Sequence, residues 1–111
     1  MNKFSLTALG RRRLEEARVA SSGRSSATVF GGHEQVMRQT LIALAEGERM
    51  GEHENPGEAT LLALEGRVRL TAGEDQWEAR TGDLLVVPDR RHWVEALEDS
   101  VILLTVAKLD R

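Results

Sequence analysis

Leu6, Leu9, Leu14 and Ala17 recur near helical spacing, while Arg11, Arg12, Arg13, Glu15 and Glu16 fill much of the remainder. Apolar positions three and four apart line one stripe of a helix and leave the charges to water. Residues 5–20 are therefore expected to form a short amphipathic helix, capped by Ser5 and stopped by Ser21-Ser22-Gly23. Gly10 in its middle costs about 1 kcal/mol relative to alanine, so packing against something else must hold the helix.

Beyond a Ser/Gly-rich connector at 21–26 and a second break at Gly31-Gly32, the pattern changes to short aliphatic runs between turn signals. Strands are expected near 28–30, 35–44, 59–65, 67–72, 76–80, 84–87, 92–96 and 101–107. Turns fall at Glu46-Gly47, Pro56-Gly57, Glu65-Gly66, 73–75, Thr81-Gly82 and Glu98-Asp99. Val68 and Leu70 share one face of their strand, with Arg67, Arg69 and Thr71 on the other. Short strands at this spacing predict an all-β sandwich or barrel. The expected division is a helix and connector over 1–26 and a barrel over 27–111.

Composition narrows the chemistry. The chain of 111 residues has a formal charge of −3, which gives no overall attraction for nucleic acid or an anionic membrane. It has no cysteine, which removes disulfides, thiolate metal sites and cysteine nucleophiles. The start, MNKFSLTALGRRRLEE, lacks the apolar core of a secretion signal, and no apolar run approaches a membrane span. A cytoplasmic protein is expected. Glu15 and Glu16 offset the basic triplet Arg11–Arg13, and pairs such as Arg11 with Glu15 read as a solvated helix face rather than a DNA contact.

Two stretches carry a motif. In GERMGEHENPGEATLLALEG, Gly47 is followed after five residues by His53, and the strand LLALEG closes at Gly66. In GDLLVVPDRRHWVEA, Gly82, Asp83, Pro88 and His92 stand in order, with fifteen residues between Gly66 and Gly82. Together these resemble the two motifs of the cupin superfamily, small single-domain type, over about residues 35–107. The resemblance implies a double-stranded β-helix, the cupin jelly-roll barrel, with the N-terminal helix added. It also implies a divalent transition metal (iron, manganese, zinc or nickel) held at the barrel interior.

The departures bear on that metal. Asn55 stands at the second histidine of the first motif, and Ala59 at its acidic or amide ligand. The second motif is a residue short between Pro88 and His92, with Arg90 where glycine is common. His53 and His92 remain, and two imidazoles are fewer than the three protein ligands of a catalytic zinc or the two histidines and carboxylate of non-haem iron. Glu58 is the nearest carboxylate that could complete the set; alternation turns it away from Ala59, unless a bulge after Pro56-Gly57 shifts the phase. The ligand count argues against a tightly held cofactor.

The expected ligand pocket comprises His53, Asn55, Ala59, Leu61, His92 and Gln39, with Ala63, Val94 and Ala96 on the same faces. Small apolar walls and two imidazoles suit a small, partly apolar molecule. Three functions compete: a barrel binding such a ligand without catalysis, a metal-dependent enzyme of dioxygenase, isomerase or lyase type, and a ligand-sensing regulator acting through a partner. Arg90-Arg91 would lie at the rim, either meeting an anionic group or pairing with Glu95 or Asp99. His33 has no motif around it and reads as a surface histidine. Trp93 falls on the face away from the pocket, which predicts burial under the N-terminal helix or in a homodimer interface, with Trp77 as a second such residue.

Overall fold

The architecture comes from a computed structural model, which describes residues 2–53 and 57–108, with 51–53 and 57 described by backbone alone. One helix, α1 (Leu6–Val19), precedes nine strands. These are β1 (Arg24–Phe30), β2 (Met37–Leu44), β3 (Arg49–His53), β4 (Gly57–Glu65) and β5 (Arg67–Ala72). β6 (Asp75–Arg80), β7 (Leu84–Val86), β8 (His92–Ala96) and β9 (Ser100–Lys108) complete the chain. A five-stranded sheet runs β1-β2-β9-β4-β7 and a four-stranded sheet β3-β8-β5-β6, with every pairing antiparallel.

The helix follows its sequence signals. Ser5 is the N-cap and its hydroxyl accepts from the Ala8 amide at 3.2 Å, satisfying one of the donors a helix start leaves open. At the other end Ala20 caps, and Gly23 at φ +69° turns the chain into β1. The stretch 21–26, read as a connector, is thus partly strand. Strand β3 escaped the sequence reading, which had only a turn at its start.

Alternation sorts the side chains into two cores. Ile42 and Leu44 of β2, Ala59, Leu61 and Ala63 of β4, Val68 and Leu70 of β5, and Val94 and Ala96 of β8 pack between the sheets. Leu41, Ala43, Val101 and Leu103 emerge on the opposite face of the larger sheet, where Leu14 and Ala17 of α1 cover them. The helix thus forms a third layer outside the barrel. Gly10 sits at the contact: a β-carbon there would meet Val101 Cγ1 at 3.0 Å.

One end of the barrel is closed by the β2–β3 turn, where Gly47 donates to the Ala96 carbonyl and Ala96 to that of Glu48. Ser100, fully buried, accepts from the Arg67 amide at 3.0 Å and donates to the Glu98 carbonyl at 2.6 Å, tying the β4–β5 and β8–β9 turns together. The other end carries the N-terminus of β8, the last residue of β3 and the first of β4.

Candidate functional site

His92 opens β8 and shares its phase with Val94 and Ala96, so it enters the space between the sheets. It is 5% exposed, and of the described residues it is the one ionisable side chain that is buried. Its Nδ1 lies 2.8 Å from the Arg90 carbonyl oxygen. A carbonyl only accepts, so Nδ1 carries the proton and, in the neutral ring, Nε2 is the acceptor. The geometry comes from the local chain: the loop folds back so that a backbone oxygen two residues upstream orients the ring.

Around His92 the rim is tied together. The Arg90 guanidinium donates to Asp75 at the start of β6 and lies over the Trp77 ring, 6.0 Å from its centroid. Arg90 therefore pairs with Asp75 rather than with Glu95 or Asp99, the partners weighed from sequence. Glu95 meets Arg69 at 3.4 Å, and Asp99 meets Arg18 at 2.8 Å. That last contact, a hydrogen bond from Arg18 joined by one from the Glu46 amide, holds the Asp99 carboxyl below its ordinary range.

The backbone register places His53 of β3 directly opposite His92 of β8. Residues far apart in the chain are thus brought to one cross-strand position. Asn55 lies outside the described residues. Ala59, 7% exposed, and Leu61, 1% exposed, both enter the interior from β4.

Two sequence expectations are corrected. Gln39 does not line the barrel. It shares the phase of Leu41 and Ala43, donates to Thr105 Oγ1 at 3.2 Å, and lines a groove beside Phe4, Val29 and Leu103 next to the helix. Glu58 does not turn inward. It is exposed, its partner is Ala107, and the β4–β9 register runs unbroken from Gly57 to Ala63, its only shift coming between Ala63 and Glu65. The bulge that would have brought its carboxylate inside is absent.

Trp93 does face away from the interior, but the helix covers the other sheet. Arg49 of β3 stacks on it instead, with its guanidinium carbon 4.6 Å from the ring centroid. His33 is exposed.

Among the described residues, no three His, Asp, Glu or Cys side chains come together. An alanine methyl occupies the carboxylate position, and the nearest carboxylate in sequence projects from the far face of β4. The described donor set does not fit a tightly held transition ion, which needs three or more ligands.

Two antiparallel sheets closed over an apolar interior, with an oriented imidazole near one end, define a small jelly-roll barrel. The chain belongs to the cupin domain family, whose model matches residues 40–107. No curated protein matches its sequence. A conserved protein of unknown function from Streptococcus pyogenes has a similar structure, with a TM-score of 0.77 and 24% identity over 99% of this chain and 90% of that one. An HTH_3 family transcriptional regulator from Vibrio cholerae is similar over 78% of this chain and 52% of its own, at TM-score 0.68 and 18% identity. Salicylate 1,2-dioxygenase from Pseudoaminobacter salicylatoxidans is similar over 90% of this chain and 31% of its own, at TM-score 0.73 and 16% identity. At these identities the likeness is one of fold, and a regulator and an enzyme share it.

Proposed function

We propose that this chain binds a small, partly apolar ligand inside the barrel and does so without a tightly held metal. The observation that carries the reading is His92: a buried, oriented imidazole in an interior otherwise built from Ala59, Leu61, Val87, Val94 and their neighbours. An oriented imidazole among apolar walls gives a small, partly apolar molecule a polar point of recognition. The ring's fixed orientation supports this, because a preset polar group costs little to organise on binding. His53 opposite it in the ladder adds a second imidazole residue at the same level of the barrel.

The test combines a fragment screen with metal analysis. Neutral and charged fragments of a few carbons are titrated against isotope-labelled protein while the His92 imidazole resonances are followed. Binders should move those resonances, and His92→Ala should weaken the same fragments while leaving the far-ultraviolet spectrum of the fold intact. Protein purified without chelators should carry well under one equivalent of iron, manganese, zinc or nickel. A full equivalent, lost in a His53→Ala His92→Ala double variant, would replace this reading with a metalloenzyme.

A further inference from the structure

We propose that the His92 end of the barrel recognises the carboxylate of its ligand, with Arg38 and Lys108 as the recognising cations. The inference rests on the reading that the interior takes a ligand, and adds the chemical class of that ligand.

It follows from register. The interior-facing phase of β2 runs Leu44, Ile42, Thr40, Arg38, and that of β9 runs Ile102, Leu104, Val106, Lys108. Arg38 pairs across the ladder with Val106, Val106 with Ala59, and Lys108 with Gly57. Three residues separate the end of β3 at His53 from the start of β4 at Gly57, and His53 pairs with His92. Arg38, Lys108, Ala59 and His92 therefore belong to the same end of the barrel, the first three on one sheet and His92 on the other. Facing sheets lie about 10 Å apart, a gap that an arginine side chain and a short acid together span.

Arg38 and Lys108 stand there with no carboxylate partner among the described residues. Arg38 is exposed, and among the described residues its guanidinium has no ion pair or hydrogen bond. Lys108 is half-buried and its ammonium donates to one carbonyl, that of Gly32, at 2.8 Å, which holds it in place and uses one of its three protons. Arg90, also at the rim, is already matched by Asp75. Among the described residues, an acidic chain thus presents two positive groups with no carboxylate partner at this end of an apolar interior. That arrangement selects an anion with an apolar tail: the guanidinium forks onto a carboxylate in pairs of charge-assisted bonds, and the tail takes the dry walls.

The experiment compares matched probes by calorimetry: hexanoate and benzoate against hexanamide and benzamide. The acids should bind the parent protein about tenfold or more tightly than the amides, the scale of one charge-assisted contact. Arg38→Gln and Lys108→Gln should each reduce that preference, and the double variant should abolish it, whereas Arg12→Gln on the exposed helix face should not change it. Arg38 is exposed, so its loss leaves folding intact. Amides binding as well as acids, or a preference that survives both rim substitutions, would overturn the carboxylate assignment while leaving ligand binding in the barrel standing. Failure of both series to bind would end both.

Discussion

Gly66, between β4 and β5, has φ +86°, a conformation that L side chains rarely adopt. A methyl group there would also overlap the Asp99 carbonyl oxygen and Ser100 Oγ, the groups that tie two turns together. Gly47 has nearly the same backbone, φ +88°, but open space where a β-carbon would stand. The pair separates strain from collision. Gly47→Ala should cost about 1–2 kcal/mol, the left-handed penalty alone, in urea unfolding. Gly66→Ala should cost clearly more, about 3 kcal/mol or above, because the turn must also move. Asp99 gives a second residue-scale test. Its pKa is depressed in the folded state by Arg18 and the Glu46 amide, so its contribution is complete above the ordinary carboxylate value and is lost as pH falls through the lower folded value. Asp99→Asn should be less stable than the parent at neutral pH, and the gap should narrow as pH falls from about 4 and close only below the lower folded value. Because the pair is largely solvated the difference should be small, and salt should shrink it.

At the scale of elements, Gly10 sets two tendencies against each other. Alanine there gains about 1 kcal/mol of helix propensity. Its methyl would press on Val101 Cγ1 at 3.0 Å, and Val101 is a stiff, buried β-branched side chain on β9. Gly10→Ala should therefore lose stability, whereas in a Val101→Ala background the same change should gain it, a sign reversal that a double-mutant cycle reads directly. The same layering explains what the sequence could and could not disclose. Strand 67–72 was legible because Val68 and Leu70 alternate with Arg67 and Arg69. In β2 the run Leu41, Ile42, Ala43, Leu44 is buried on both faces, by the barrel and by the helix. Such a run contains no phase, so nothing in it could say that Gln39 belongs to the helix side. β3 reads RMGEH, with a glycine at its centre and Met50 its only large apolar residue, and no periodicity marks it as a strand. Only the motif pointed there, through His53. Arg38 and Lys108 were missed for the same lack of phase: each is an ordinary terminal cation until the register places it at the barrel mouth.

At the scale of the molecule, the larger sheet is a partition between two cores with different duties. One core, between the sheets, shares its lining with the proposed site; the other, between sheet and helix, shares none of the interior side chains. Stability and binding should therefore be separable by mutation, since perturbations couple strongly only through shared contacts. Leu14→Ala, on the buried stripe of α1, should cost about 2–4 kcal/mol of stability through lost burial and a residual cavity. Its affinity for any barrel ligand should remain that of the parent, measured well below the lowered unfolding midpoint. Ala59→Leu should do the reverse. The added carbons enter the interior beside Val106 and Val87, where strain costs at most about 1–3 kcal/mol. They also occupy the space between the rim cations and His92, so binding should fall by an order of magnitude or more. A Leu14→Ala protein that stays folded but loses the ligand would show that the helix shapes the interior through the sheet. The barrel and its helix would then be one cooperative site rather than a site and its support.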